Sequence, residues 1–214
     1  MFSTEALLSR LLFLPLWIIS LSIHEYCHAQ TAAWLGDDTA AREGRLTLNP
    51  VAHIDVLGTL IAPLLFSFGW AKPVPIDPSR FRRDVSMGAG MALSASAGPL
   101  SNLVLAILSA AAYGIGLRVA PELVGRGSMG EMFLLNMLTF NVMLALFNLI
   151  PIPPLDGSRI VAWLLPYRLR NQWHELERFA PFLLLGVFWF GGGLISGPVQ
   201  NLSALLFRLA LRLS

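Results

Sequence analysis

Residues 6–35 read ALLSRLLFLPLWIISLSIHEYCHAQTAAWL. A helix over this run, at about 1.5 Å per residue, is longer than the roughly 30 Å hydrocarbon core of a bilayer. Pro15 is a point where it can kink. The run carries His24, Glu25 and His28, and no small-residue cleavage site follows it, so it reads as a resident helix rather than a removable leader. Ionisable side chains inside an apolar helix are expensive, and each needs a reason.

The rest of the chain shares this apolar character. Of its 214 residues 55% are hydrophobic and 13% charged, and mean hydropathy is +0.64. An average soluble domain carries about 25% charge, so a soluble globule of this size would lack polar surface. Composition therefore speaks against disorder and against nucleic-acid binding, and the single Cys27 rules out an internal disulfide. The expectation is an all-α polytopic membrane protein in contact with the lipid bilayer.

Further apolar runs follow at 87–117, 129–150 and 179–199, giving about four transmembrane helices with the first. The 87–117 run is rich in Gly, Ala and Ser, which lets helices approach closely in lipid. The run 57–70 holds Gly58 and Pro63 and is short for a span, so a short re-entrant or β-like element is expected near 57–75. From Leu202 onward Leu205, Leu206, Leu209 and Leu213 share a face, the pattern of a C-terminal amphipathic helix lying in the interface. The whole of 1–214 reads as one membrane-embedded domain, with a core of about 6–165 and an additional helix and tail in 166–214.

Charge sets an orientation. Six Lys/Arg lie in 36–86 and four in 151–178, against Arg118 and Arg126 in 118–128. The positive-inside rule puts the two richer stretches in the cytoplasm, so the first and third spans both descend toward it. The chain is expected in the cell membrane with its chemistry toward the cytoplasmic side.

His24-Glu25-Tyr26-Cys27-His28 is an HExxH sequence on a helix. Four helical steps turn the chain about 400°, so the two imidazoles lie about 40° apart and can share one metal ion. Glu25 lies about 60° from His28, close enough to reach a water on that ion without being a ligand. This is the zinc-hydrolase arrangement, in which two His hold Zn²⁺ and the Glu accepts a proton from water. The competing reading makes them polar residues packed between helices. Cys27 reads as a packing residue.

A third ligand is required. Asp156 stands in Asn148-Leu149-Ile150-Pro151-Ile152-Pro153-Pro154-Leu155-Asp156-Gly157, where prolines interrupt a span. A carboxylate there can complete a His₂-Asp site, and an N-cap of a following helix is the plainer role. Charge counting puts His24, His28 and Asp156 at similar depth without using the motif.

The paired motifs resemble those of the site-2 protease family (M50) of intramembrane zinc metalloproteases. Gly36-Asp37-Asp38-Thr39-Ala40, Gly44-Arg45-Leu46-Thr47-Leu48-Asn49-Pro50, His53-Ile54-Asp55, Gly69-Trp70-Ala71-Lys72-Pro73-Val74-Pro75 and Ala97-Gly98-Pro99-Leu100-Ser101-Asn102 match its small prokaryotic type, without PDZ or CBS domain. The resemblance implies His24, His28 and Asp156 as ligands of one zinc ion. It implies Glu25 as catalytic base, and Asn148 as a second catalytic group that binds substrate or the developing oxyanion. It further implies a three-helix catalytic core, and a zinc metalloendopeptidase acting on a transmembrane protein substrate by regulated intramembrane proteolysis. His53, Asn102 and Asn141 are candidate substrate-binding residues. Against this stand a surface hydrogen bond for His53 and interhelical bonds for the two Asn. A non-hydrolytic metal-binding transporter or scaffold is the alternative from another class.

Overall fold

The computed structural model describes residues 4–66 and 69–213. Among them every regular element is helical. The chain forms two compact units, Met1–Gly98 and Pro99–Ser214.

The first unit begins with α1 (Thr4–Trp34), which runs unbroken through Pro15. Its last third presents small residues inward, with Ala29 and Ala32 fully buried. Gly36, at φ +111°, turns the chain out of the helix, a conformation that strains any residue with a Cβ. A short α2 (Thr39–Arg42) follows. Next comes a 3₁₀ turn, Pro50–His53, capped by Asn49 Oδ1 on the Val51 N–H at 3.1 Å.

Of the re-entrant or β-like element expected near 57–75, the first half is helical rather than β-like. Val56–Ile61 is a π-helical turn that continues into α3 (Ala62–Phe66). Asp55 starts it, its Oδ1 accepting from the Gly58 N–H at 2.7 Å and its carbonyl from the Thr59 N–H at 2.7 Å. Two backbone groups satisfied locally favour a turn over an extended chain. Residues 69–77 have no regular structure, and Pro73 and Pro75 have no N–H to give a ladder. Asp77 caps the 3₁₀ turn Pro78–Arg80, and the hydroxyl and N–H of Ser79 hold its carboxyl below the ordinary 3.8.

The chain then enters α4 (Met87–Val119), in which the boundary between the units falls at Gly98. In the second unit α4 is followed by α5 (Pro121–Val124) and α6 (Met129–Asn148), whose cap Ser128 accepts from the Glu131 N–H at 3.0 Å. After the proline turn come α7 (Asp156–Leu164), α8 (Tyr167–Leu176) and α9 (Ala180–Ala210). Ala106, Ala110, Tyr113, Leu138, Val142 and Ala210 form the core of this unit. At Gly114 a Cβ would collide with the Ala210 carbonyl, so the lack of a side chain lets α4 and α9 touch backbone to backbone.

The C-terminal tail corrects an expectation. It is no separate interfacial helix: α9 continues through Pro198 to Ala210. Leu202, Leu206, Phe207 and Ala210 pack into the core, while Leu205, Leu209 and Leu213 are exposed. The apolar residues of the tail wrap more of the helix than one face, and the α4–α6 groove takes the half that fits it.

Among the described residues two helices, Met87–Val119 and Met129–Asn148, are long and apolar enough to cross a membrane.

Candidate metal centre

His24 and His28 lie one turn apart near the C-terminal end of α1, both buried. Their rings meet edge to face with centroids 4.5 Å apart, and the two Nε2 atoms are 2.9 Å from each other. Two nitrogens held about 2.0–2.1 Å from a tetrahedral zinc lie roughly 3.3 Å apart, so small ring movements bring this pair to ligand spacing.

The outer partner of His28 sets its tautomer. Nδ1 lies 2.6 Å from the Ser94 carbonyl, which can only accept, so Nδ1 carries the proton and Nε2 presents its lone pair. An imidazole fixed through its far N–H by a backbone carbonyl is the usual support of a metal-ligating His. Gly98 closes the other side. A Cβ there would overlap His28 Nε2 and come within 2.6 Å of His24 Cε1, so Gly98 alone leaves room for the pair.

Glu25, one residue after His24, is half-buried. Its Oε2 accepts from the Val74 N–H at 2.9 Å. That bond joins α1 to the irregular segment 69–77 and gives the carboxylate one defined orientation.

In the second unit Asp156 is buried at the first position of α7. The N-cap position belongs to Leu155, so Asp156 is no cap; it is an acidic residue of the first turn, where the helix dipole favours negative charge. Gly157 explains the residue that follows. A Cβ there would collide with the Leu149 carbonyl and come within 2.6 Å of the Ile150 carbonyl. The chain folds back on itself after α6, and glycine permits that contact. In the first unit the two imidazoles are donors suited to a divalent ion, and Glu25 stands outside that pair.

The remaining candidates have other surroundings. Asn148 ends α6, and its Nδ2 donates to the Leu144 carbonyl at 3.0 Å, which leaves its second N–H for other use. Asn102 Nδ2 donates to Asn141 Oδ1 at 2.9 Å, and Asn141 Nδ2 donates to the Met137 carbonyl at 2.9 Å. Both Asn are fully buried, and their hydrogen bond joins α4 to α6. His53 is 1% exposed, not a surface residue. Its Nε2 donates to the Thr47 carbonyl at 2.8 Å and its own carbonyl accepts from the Lys72 N–H at 2.9 Å, so it braces the loop.

Motif reading passed over Ser94, Gly98 and Val74. Gly98 and Val74 stood within stretches that matched the family blocks. No residue-type signal marks a backbone carbonyl or N–H.

An all-helical chain with apolar helices of membrane length, carrying HExxH on one helix and a buried Asp-Gly on another, is of the metallopeptidase type. Known proteins say which one. The model of peptidase family M50 matches residues 126–185. “Putative zinc metalloprotease YwhC” of Bacillus subtilis (strain 168) is 38% identical over 172 residues, covering 80% of this chain and 77% of that protein. “Putative zinc metalloprotease Rip2” of Mycobacterium tuberculosis (strain ATCC 25618 / H37Rv) is 30% identical over 184 residues, 82% of this chain and 68% of that one. No solved structure matches the chain. The chain belongs to peptidase family M50, whose proteases are membrane proteins.

Proposed function

We propose that this protein is an intramembrane zinc metalloendopeptidase that cleaves peptide bonds of membrane-spanning protein substrates. It would sit in the cell membrane with about four spans and its active site toward the cytoplasm. The observation that carries the reading is Glu25: a carboxylate beside a metal-type imidazole pair, outside that pair, and oriented by the Val74 N–H. A transporter or scaffold that only holds metal has no use for a carboxylate kept in that place.

His24, His28 and Asp156 would hold one zinc ion. When bound, zinc lowers the pKa of a coordinated water toward 7 and polarises a carbonyl. Glu25 accepts the proton of the attacking water on its carboxylate and delivers it to the departing amine. Asn148 offers its second amide N–H to the oxygen on which negative charge develops. Burial of the imidazoles excludes bulk water from their lone pairs and strengthens each of these interactions. A helical substrate has its amides already bonded, so it unwinds locally before it is cut.

The test is Glu25→Gln in the full chain. The protease reading expects retained zinc and loss of cleavage of a membrane-anchored reporter by at least about 100-fold, the span of a general base. Cleavage at the wild-type rate would overturn it. Metal transport into vesicles, unchanged in the Gln variant, would establish the transporter instead.

A further inference from the structure

The segment 70–77 is held at both ends by buried charge. Arg45, 6% exposed, donates from Nη2 to the Lys72 carbonyl at 2.6 Å and the Pro73 carbonyl at 3.2 Å. Asp37, 1% exposed, accepts on Oδ2 from the Asp77 N–H at 2.7 Å. Its Oδ1 accepts from the Thr39 N–H at 3.0 Å and the Thr39 hydroxyl at 2.5 Å. Both side chains come from the 36–45 loop, and both act on main-chain atoms of the same segment, one before Val74 and one after it. A buried charge is costly unless hydrogen-bonded, and here the bonds go to backbone that has no regular structure.

Other bonds complete the fastening. The Trp70 N–H donates to the Gly58 carbonyl at 3.0 Å, and the Trp70 carbonyl accepts from Thr59 Oγ1 at 2.9 Å. The Lys72 N–H donates to His53. Trp70, Lys72 and Val74 thus use their N–H groups inside the unit, and Pro73 and Pro75 have none. Ala71, itself buried, is left as the one N–H donor over 70–75. A segment so depleted of donors makes a poor edge for adding a substrate strand. The N–H of Val74 has a different partner, Glu25.

We infer that 70–77 is a strap that positions the general base, with Arg45 and Asp37 as its positioning residues. Resting on the protease reading above, this assigns the two buried charges a role in catalysis exerted through Val74. The strap pins Glu25 Oε2 and so leaves Oε1 to take the proton. Arg45 fixes the carbonyls just before Val74, and Asp37 fixes the chain three residues beyond it. Val74 itself is buried against Ala29 and Ala40, which sets the height of its N–H above α1.

The experiment uses the full chain in detergent, with labelled casein as an unfolded probe that needs no unwinding. Arg45→Met removes the donor and keeps the length; Arg45→Lys restores a donor. Arg45→Met and Asp37→Asn are expected to lower kcat about 10–100-fold, as partners of a metal-site group do, with KM within about twofold and zinc content unchanged. Arg45→Lys recovers most of the loss. A second measurement is independent of activity. Because Pro73 and Pro75 carry no N–H, hydrogen exchange over 73–75 reports Val74 alone. That amide is expected to be protected in the wild type and labile in Glu25→Ala and Arg45→Met. Equal protection in all three, or a loss in Arg45→Met that falls on KM or zinc content instead of kcat, overturns the strap. A wild type that leaves casein intact refutes the protease reading, and the exchange comparison still decides whether the strap holds Glu25.

Discussion

The two units of this molecule solve the problem of burial differently. In Met1–Gly98 the buried interior includes His24, His28, Asp37, Arg45, His53 and Thr59 beside apolar residues such as Leu16, Leu21, Ala29, Ala40 and Val74. Its irregular segments are held by side chains bonded to backbone. In Pro99–Ser214 the core is Ala106, Ala110, Tyr113, Leu138, Val142 and Ala210, with helices laid against helices through small residues and Asn102, Asn141 and Asp156 among its buried polar groups. The contrast teaches where chemistry can be built. A polar group needed for reaction must be held by directional bonds, and irregular backbone offers more free N–H and C=O groups than a helix does. Helix packing gives rigidity but leaves few such groups to aim.

That contrast can be broken by experiment, and the largest effect is expected at Gly98. Gly98→Ala forces a methyl group into both imidazoles, and zinc affinity measured by chelator competition should fall at least about 100-fold. A variant that keeps its zinc would mean the imidazole pair has slack. Leu138→Ala in the second unit should behave oppositely. It should cost about 2–5 kcal/mol in stability by denaturant unfolding and leave the zinc affinity of the folded fraction alone. Asn102→Ala strips one partner from the α4–α6 bond. A loss of about 1–3 kcal/mol without change in KM would mark it as structural, and a raised KM would restore it to substrate binding.

The smallest effect concerns Asp77. Its carboxyl is depressed below 3.8 by Ser79, so it stabilises the folded state above that value and loses this contribution as the pH falls through the depressed pKa. Asp77→Ala should lower the melting point slightly at pH 7, with the difference closing under strong acid. A gap that persists there would show that the cap is not electrostatic.

Some of this was legible without a structure. The pairing of His24 with His28 follows from helical arithmetic alone, and so does the exclusion of Glu25 from the ligand pair. Asp156 could be picked out because a carboxylate near an apolar run is expensive. Its local role could not, since a one-residue shift of the helix start moves it from cap to first turn. The 57–75 element was legible as irregular, because Gly58, Pro63, Pro73 and Pro75 break any regular run. Its helical first half was hidden in the Asp55 cap. The tail from Leu202 showed its apolar residues, and nothing local says whether protein or lipid covers them.

By itself, then, the sequence determined the apolar helices, the imidazole pair and the acid beside it, because those depend on residue type and on a spacing of a few positions along one helix. The tertiary structure alone decided how Glu25 is aimed, that Gly98 must be bare, and that Arg45 and Asp37 grip one segment. These depend on backbone atoms brought together from positions as far apart as Glu25 and Val74 or Arg45 and Lys72. Every residue carries the same N–H and C=O, so no alphabet of side chains can announce which of them will meet.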